Sequence, residues 1–300
     1  MAHEEVAVSV PEPVAVGLVG AGPWASWVHA PVLAAGPETR LVGVWSRTAA
    51  KADALAAAHG AEAMASFEAL LDTCEAVAFS VPPAVQADLA ARAARRGKAV
   101  LLEKPLAEDL AGAERLAEAV GSAGVASLVV LSYRFAEPVR QFLEAARSFD
   151  ALGGRACFLS GAFLGGPFAT GWRLERGAVL AIGPHVLDLV DAALGPIVGL
   201  RAMGDRHGFV AVAAQHDAGA TSDVALCCRA GIDSRTEIEL FGPSGTLAVD
   251  GRGAVGPASF AELRRVFAAA VRDGTPHETD VHRGLHLQRL IAEIEAQLPA

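Results

Sequence analysis

Short apolar runs alternate with helical patterns through the first part of the chain. The runs are almost wholly apolar, and they lie at Val14–Val19, Leu41–Trp45, Ala76–Val81, Ala99–Leu102 and Ser127–Leu131. Helical patterns fill the intervals, up to Ala35 and then at Ala49–His59, Glu68–Asp72, Val85–Arg95 and Leu110–Gly121. Apolar strands of this kind are typical of parallel strands covered on both faces. The alternation therefore predicts a doubly wound parallel α/β sheet of the Rossmann type.

The pattern changes at about residue 133. Helices are predicted at Glu137–Phe149, at Ala178–Leu194 with an interruption at Gly183-Pro184, and near Phe260–Arg272 and Val281–Leu298. Strands are predicted at Arg155–Phe163, Ile197–Met203, Phe209–Gln215, Thr221–Cys228, Ser234–Phe241 and Thr246–Val249. Short glycine-containing turns join several of these strands, which indicates an open, mostly antiparallel sheet. We therefore divide the chain into a loose tail (1–12), a Rossmann domain (13–132) and an α+β domain (133–300).

Composition and charge exclude several classes of protein. Apolar residues make up 52% of the 300 residues, which is enough for a sizeable core. The formal net charge of -9 argues against binding to nucleic acid or to an anionic membrane. No apolar run reaches the roughly 18–20 residues that span a bilayer. The N-terminus lacks the basic segment of a secretory signal, and the four cysteines show no metal-site spacing, so we expect a cytoplasmic protein without a metal.

A glycine turn follows the first predicted strand. Gly20 and Gly22 form a G-x-G-x-x-A pattern with Ala25, and Pro23 and Trp24 occupy the positions between. The first glycine allows a tight turn, the second lets a pyrophosphate approach the backbone, and the small third residue lets the helix pack on the strand. The pattern alone is weak evidence for a dinucleotide site, because glycines also form ordinary loops. Its position between a strand and a helix favours a dinucleotide site.

The end of the second strand selects between the dinucleotides. A site that prefers NAD usually has a carboxylate there, which binds the ribose 2′-hydroxyl. This chain has Ser46 and Arg47 instead, so the 2′-phosphate of NADP meets a hydroxyl and a guanidinium. We therefore expect NADP, with NAD as the less favoured cofactor. In the alternative interpretation, Ser46 caps the next helix and Arg47 is merely solvated.

Several stretches together resemble the Gfo/Idh/MocA oxidoreductases, the family of glucose–fructose oxidoreductase and inositol dehydrogenase. They are the glycine turn with His29-Ala30-Pro31, then Ser46-Arg47, Ser80-Val81-Pro82-Pro83, Glu103-Lys104-Pro105, Gly183-Pro184-His185-Val186-Leu187-Asp188 and Phe241–Leu247. The resemblance covers nearly the whole chain. It implies an NAD(P)-dependent oxidoreductase that acts on a small hydroxyl or carbonyl substrate, such as a sugar or polyol. It also implies cofactor contacts from Ser80, Val81, Pro82, Pro83 and Glu103.

The resemblance assigns the catalytic roles to Lys104 and His185. A lysine ammonium stabilises a developing alkoxide, and an imidazole titrates near neutral pH and can exchange the hydroxyl proton. Asp188 follows one helical turn later, where it orients His185, binds a substrate hydroxyl or forms a structural salt bridge. Many catalytic members of the family carry an aspartate four residues before the histidine, whereas this chain has Ala181. The Lys104–Pro105 bond is a candidate cis peptide.

Four further residues are candidates for substrate contact. Tyr133 and Arg134 follow the last Rossmann strand, where open α/β sheets bind ligands, and Trp172 and Arg173 precede the His185 helix. An arginine can hold a carboxylate or phosphate, and an aromatic face suits a sugar ring, although Trp172 is equally a candidate for the core.

Two other functions remain open from the sequence. Ala181 is compatible with a binding module that senses NADP without turnover. A methyltransferase also has a glycine-rich loop after its first strand, but Glu103-Lys104-Pro105 and His185 weigh against it. The resemblance further implies a homodimer or homotetramer that associates through the C-terminal sheet, whose open face and edges would otherwise be exposed.

Overall fold

The computed structural model describes residues 12–299, so the tail predicted at 1–12 lies outside the described residues except for Glu12. Six parallel strands form the first sheet, in the order β3-β2-β1-β4-β5-β6. They are β1 (Val14–Val19), β2 (Thr39–Trp45), β3 (Glu62–Ala63), β4 (Ala76–Phe79), β5 (Ala99–Leu102) and β6 (Ser127–Val129). This order confirms the predicted doubly wound sheet.

Five helices cover this sheet. They are α1 (Ala30–Ala34), α2 (Ala49–Ala58), α3 (Phe67–Thr73), α4 (Pro83–Arg95) and α5 (Leu110–Ala123). A π-helical turn, Ala25–His29, leads into α1. Strand β3 has only two residues and was not predicted, because two residues carry too little periodicity to be recognised.

The second sheet is mixed and mostly antiparallel, as predicted, with the order β12-β11-β7-β10-β9-β8. Only β7 and β10 run parallel. The strands are β7 (Gly153–Leu159), β8 (Ile197–Gly204), β9 (Phe209–His216), β10 (Thr221–Cys227), β11 (Arg235–Gly242) and β12 (Gly245–Asp250). The remaining helices are α6 (Glu137–Ala146), α7 (Trp172–Leu194), α8 (Pro257–Asp273) and α9 (Val281–Gln297).

Helix α8 returns to the first sheet. Its Leu263 and Phe267 are buried in the same apolar cluster as Val16 and Leu18 of β1. Arg264 of α8 also donates from Nε to Glu38 Oε2 over 2.7 Å. The helix therefore joins the end of the chain to the Rossmann core, although it follows the second sheet in sequence.

The long helix α7 differs from its prediction. It runs through Gly183-Pro184 without interruption, and its non-helical residue is Gly177, with φ 77°. A Cβ at Gly177 would lie 2.2 Å from the carbonyl oxygen of Arg206, so only glycine fits this approach. Pro184 has no backbone N–H, so the helix lacks one hydrogen bond there. The residues on both sides of Pro184 are buried, and this packing keeps the helix continuous.

Helix α7 is also the interior helix of the second domain. It is long and apolar enough to cross a bilayer, with a mean hydropathy of 1.5 in its most apolar window, but 89% of that window is buried inside the fold. Its two aspartates are buried with it, and Asp188 is 1% exposed. Burial of these carboxylates requires partners, because an unpaired charge in the interior is costly.

Helix α9 supplies those partners. Arg283 donates from Nε to Asp188 Oδ1 over 2.6 Å and also pairs with Asp191. His286 Nε2 lies 2.9 Å from Asp191 Oδ1. Burial alone would raise the pKa of Asp191, but the hydrogen bond of His286 and the charge of Arg283 outweigh it and hold the pKa at about 2. The α7–α9 contact is therefore ionic as well as apolar.

Replacement of Arg283 by alanine should destabilise the fold by about 3–5 kcal/mol, because both aspartates lose a buried partner. Urea unfolding followed by circular dichroism measures the change. Arg147→Ala is the control: Arg147 and its partner Glu144 are both 71% exposed, and its loss should cost less than about 0.5 kcal/mol. Equal stability of the two variants would contradict a structural role for the Arg283 ion pairs.

Candidate active site

The glycine turn lies where β1 and β4 end side by side. Gly20 has φ 113°, and a Cβ there would lie 2.2 Å from the carbonyl oxygen of Ser80. Gly22, in contrast, faces open space, since a Cβ there would meet no heavy atom within 4 Å. Ala25 is fully buried and lets the following helix sit close to the sheet. An open cradle at a helix N-terminus fits the pyrophosphate of a dinucleotide.

Two neighbouring strand ends border this cradle. After β2, Ser46 Oγ accepts a hydrogen bond from the backbone N–H of Thr48 over 3.2 Å, and Arg47 is exposed. Thr48, not Ser46, is the N-cap of α2, so the alternative in which Ser46 caps this helix is wrong. After β4, Ser80 and Val81 are half-buried, and Pro82 is the N-cap of α4 with Pro83 as its first residue.

A shared carboxylate connects the glycine turn to the end of β5. Trp24 donates from Nε1 to Glu103 Oε1 over 2.7 Å, and His29 Nε2 lies 2.8 Å from the same oxygen. Burial alone would raise the pKa of Glu103, but His29, Lys104 and Trp24 outweigh it and hold the pKa below its usual value. Glu103 is therefore an ionised carboxylate in the interior.

Gln86 of α4 fixes the backbone around this carboxylate. Its Nε2 donates to the Glu103 carbonyl oxygen over 2.7 Å, and its Oε1 accepts from the Glu103 N–H over 2.9 Å. Sequence reasoning noted His29 only as part of a motif and missed Gln86. The His-Ala-Pro motif offered a signal for His29, whereas a single glutamine in an alanine-rich helix carries none.

Lys104 projects from the end of β5 toward α7. The Lys104–Pro105 peptide is cis, as anticipated. Lys104 Nζ donates to the carbonyl oxygen of Ala181 over 2.9 Å. Burial and, to a lesser extent, the charge of Arg173 lower the pKa of Lys104 to about 8, against the opposing effect of Glu103. The lysine can thus exchange a proton near neutral pH.

His185 lies on α7 among aromatic rings. Its ring meets Tyr133 edge-on at a centroid distance of 5.3 Å and lies 6.2 Å from the Phe158 ring. The side chain is 8% exposed, and its buried Nδ1 has no hydrogen-bond partner among the described residues. Burial, reinforced by the charge of Lys104, lowers the pKa of His185 well below its usual value. The imidazole is therefore neutral at pH 7.

Asp188 does not orient His185. Its Oδ1 accepts from Arg134 Nη1 over 3.1 Å and from Arg283. Of the roles open from the sequence, the structure shows the salt bridge. Arg134 is also occupied, because its second nitrogen lies 2.7 Å from Glu278. Arg134 and Asp188, which were predicted to contact substrate, thus form ion pairs within the fold instead.

The other predicted substrate residues are Tyr133, Trp172 and Arg173. Tyr133 shares a hydrogen bond of 3.0 Å with Thr236 through its hydroxyl. The Arg173 guanidinium lies 4.7 Å from the centroid of the Trp172 ring and 5.6 Å from that of Phe168. Phe168 in turn meets Trp24 edge-on at 6.2 Å. The segment before α7 therefore reaches across to the glycine turn.

A separate cleft lies away from these residues. It has a volume of about 490 Å³ and is lined by α6, α8 and the segment 275–278. Neither the glycine turn nor Lys104 lines it, and its arginines pair with acidic neighbours, as Arg140 does with Glu262. Glu103, Lys104 and His185 therefore define the candidate active site. Residues 12–299 contain no cluster of three or more potential metal ligands, and all four cysteines are unpaired.

Known proteins resemble this chain in sequence. A family model described as the Gfo/Idh/MocA oxidoreductase family with an NAD-binding Rossmann fold matches residues 14–131. The dTDP-3,4-didehydro-2,6-dideoxy-alpha-D-glucose 3-reductase of Streptomyces antibioticus is 30% identical over 92% of this chain and 95% of its own length. The same enzyme from Streptomyces violaceoruber is 31% identical over 65% of this chain, and that alignment spans 58% of the relative's length.

Solved structures resemble it in fold. An oxidoreductase domain protein from Kribbella flavida superposes with a TM-score of 0.87 at 21% identity, covering 96% of this chain and 97% of its own. KijD10, a 3-ketoreductase from Actinomadura kijaniata solved with NADP and TDP-benzene, has a TM-score of 0.79 at 21% identity, covering 95% of this chain and 98% of its own. At this identity the likeness shows the fold alone.

The depressed pKa of Lys104 can be measured directly, because the chain has only three lysines, Lys51, Lys98 and Lys104. Acetic anhydride acylates only the neutral amine, so competitive labelling read by mass spectrometry reports deprotonation, with exposed Lys51 as the internal reference. We expect a midpoint near pH 8 for Lys104. Glu103→Gln should lower the midpoint further, since it removes the nearby negative charge. A Lys104 midpoint near the ordinary 10.5 would contradict this assignment.

Proposed function

This chain belongs to the Gfo/Idh/MocA oxidoreductase family, and we propose that it is an NADP(H)-dependent oxidoreductase that interconverts a hydroxyl and a carbonyl on a sugar or polyol. The observation that carries the proposal is the position of Lys104. This half-buried lysine follows directly on Glu103, which hydrogen-bonds to Trp24 of the glycine turn, and its Nζ reaches the helix that carries His185. One lysine thus borders both the cofactor cradle and the second domain.

Residues of the first domain hold the cofactor in this proposal. Gly20 and Gly22 leave room for the pyrophosphate, and Ser46 and Arg47 bind the 2′-phosphate. The strand-end residues Ser80, Val81, Pro82, Pro83 and Glu103 line the remaining length of the site. When bound, NADP(H) supplies or accepts a hydride at the C4 position of its nicotinamide.

In this proposal, Lys104 transfers the proton of the substrate hydroxyl. With a pKa of about 8, its Nζ is a base in the neutral form and an acid in the ammonium form, and both forms are populated near neutral pH. In the oxidation direction, Nζ takes the proton of the substrate hydroxyl; in the reduction direction, it returns a proton to the carbonyl oxygen. The neutral His185 orients the substrate oxygen by hydrogen bonding, and its lowered pKa makes it a weaker proton carrier than Lys104, in place of the proton exchange expected of it from the sequence.

The relatives and the aromatic rings at the site support a sugar as the substrate class. The two Streptomyces relatives are reductases of a dideoxy sugar nucleotide. Tyr133 lies against His185 and Trp172 against Arg173, and aromatic surface of this kind suits a sugar ring. A ketone or secondary hydroxyl on a sugar ring is therefore the group on which we propose that the enzyme acts.

A second candidate function is a cofactor sensor without turnover. Ala181 motivates it, because Lys104 bonds to the backbone carbonyl at this position where many relatives place a carboxylate. A sensor would bind NADPH and oxidise or reduce none of the compounds in a panel of sugars, polyols and keto sugars. Loss of an auxiliary carboxylate slows catalysis more often than it abolishes it, which favours the enzyme.

Titration with NADPH and NADH, followed by nicotinamide fluorescence, tests the cofactor assignment first. We expect tighter binding of NADPH, and Arg47→Ala should weaken it by about 10–100-fold through loss of a charge-assisted hydrogen bond, with NADH binding unchanged. Lys51→Ala removes a neighbouring exposed cation from α2 and should leave the NADPH preference intact. Binding of neither dinucleotide would refute the oxidoreductase proposal.

Turnover then distinguishes the enzyme from the sensor. Lys104→Met should abolish detectable turnover and retain NADPH binding. Oxidation needs the neutral amine, so its rate should rise with pH to a plateau above about 8, whereas reduction needs the ammonium and should decline above about 8. A Lys104→Met variant with wild-type turnover would show that another residue handles the proton.

We further propose that two copies associate through the outer face of the second sheet. Phe209 and Met203 are 51% and 72% exposed there. Across the sheet, Arg201 of β8 is followed by the uncharged Ala213 of β9, then by Asp223 of β10 and Arg155 of β7. Two such faces complement each other when one is inverted. Light scattering should report a dimer or tetramer that Phe209→Asp dissociates, whereas Trp27→Asp, on the first domain, should leave it intact. A monomeric wild type would refute the association.

A further inference from the structure

One buried side chain holds the segment 103–106, which carries the candidate catalytic lysine. Gln86 of α4 is 0% exposed. Its Nε2 donates to the carbonyl oxygens of Glu103 over 2.7 Å, Leu106 over 3.1 Å and Pro105 over 3.3 Å, and its Oε1 accepts from the Glu103 N–H over 2.9 Å. In the described part of the chain, every backbone hydrogen bond of residues 103–106 is made with Gln86.

The segment needs a side-chain partner because it lies beyond the strands. Strand β5 ends at Leu102, whose carbonyl oxygen still accepts from the N–H of Val130 over 2.8 Å. The backbone groups that follow have no strand beside them, and buried backbone groups without a partner are costly. A primary amide combines two N–H donors with one acceptor in a single planar group, so one glutamine can pair with N–H and C=O groups of the same segment.

Gln86 is itself fixed in the first turn of α4. Its N–H donates to the carbonyl oxygen of Pro82, the N-cap residue, over 3.0 Å. Residues 80–83 before this turn contact the cofactor in the proposed function, and they lie directly against Gly20 of the glycine turn. One side chain thus connects the proposed cofactor site to the backbone on both sides of Lys104.

The side chain of Lys104 has a single hydrogen bond in the described structure. Its Nζ donates to the carbonyl oxygen of Ala181 in α7 over 2.9 Å. A lysine side chain is a flexible chain of four carbons, so this contact alone does not fix the amine relative to a cofactor on the first domain. Since a displacement of about 1 Å at a reacting group can cost about 100-fold in rate, the position of the lysine backbone matters for the chemistry.

We propose that Gln86 is a positioning residue of the reaction: by holding the backbone of residues 103–106, it keeps Lys104 at a fixed distance from the cofactor. This inference rests on the proposed function, in which Lys104 transfers the proton. Gln86 acts on the lysine through this segment and carries no proton itself. Its amide does not titrate, so its hold on the segment does not change with pH.

Competitive acylation with acetic anhydride, referenced to Lys51, tests this role without a substrate. Gln86→Met keeps the approximate length and volume of the side chain and removes its hydrogen bonds to residues 103–106. The released segment admits water to the amine, and burial is the largest cause of the lowered pKa of Lys104. The labelling midpoint of Lys104 should therefore rise by about one pH unit from its value near 8.

The midpoint reports the position of the lysine because Gln86→Met alters no charge beside it. The ionisable groups around Lys104 Nζ are Glu103, Arg173, His185 and Cys228. Thr39→Val is the matched control, since Thr39 is 2% exposed and its Oγ1 donates to the carbonyl oxygen of Leu33 over 2.8 Å. This variant removes a buried hydrogen bond from the same domain and should leave the midpoint unchanged.

Two further variants separate hydrogen bonding from packing. Gln86→His offers one ring donor and one ring acceptor, so it should return the midpoint toward the wild-type value. Gln86→Asn keeps the amide but is one methylene shorter, so it should behave like Gln86→Met. It also replaces that variant if Gln86→Met does not fold, as judged by circular dichroism.

Turnover gives a second measurement, made with whichever sugar or polyol the wild type oxidises or reduces. Gln86→Met should lower kcat by about 100-fold and leave the KM for NADP(H) within about 3-fold of wild type, because the glycine turn is intact. A midpoint that stays or falls in Gln86→Met, an equal rise in Thr39→Val, or an unchanged kcat overturns the positioning role. A wild type that turns over nothing refutes the proposed function, whereas the labelling midpoint still decides whether Gln86 positions Lys104.

Discussion

One buried carboxylate links the two halves of the site. Glu103 Oε1 accepts from Trp24 on the glycine turn and from His29 on the helix that follows it, and Gln86 clamps the Glu103 backbone from α4. An ionised carboxylate is stable in the interior only because these donors surround it. Lys104 is the next residue, so its position and its charge both depend on that arrangement.

Helix α7 brings the second domain to this point. Gly177 allows the backbone to turn against Arg206, and the helix then presents the Ala181 carbonyl to Lys104 and His185 to Tyr133. Further along its length the helix is anchored to α9, through Asp188 and Arg283. At the turn that meets Lys104 the helix carries Ala181, whose side chain has no carboxylate.

Burial sets the pKa values of the two candidate catalytic residues, Lys104 and His185. Desolvation disfavours the charged form of both side chains, and it lowers the pKa of Lys104 to about 8 while it keeps His185 neutral. Glu103 prevents the lysine pKa from falling further, and Arg173 acts in the opposite direction. The division of roles between an ionisable lysine and a neutral histidine is thus a property of their surroundings, not of their residue types.

The sequence by itself determined the parallel first sheet, the mostly antiparallel second sheet, the glycine turn and the motifs that carry Lys104 and His185. Periodicity and local turn chemistry carry this information, since each depends on residues close together in the chain. The tertiary structure alone decided that Gln86 and His29 support Glu103, that Asp188 pairs with Arg283 and Arg134, and that Gly177 interrupts α7 while Pro184 does not. It also decided the protonation of Lys104 and His185. These features depend on contacts between residues far apart in the chain and on burial, which no local pattern records.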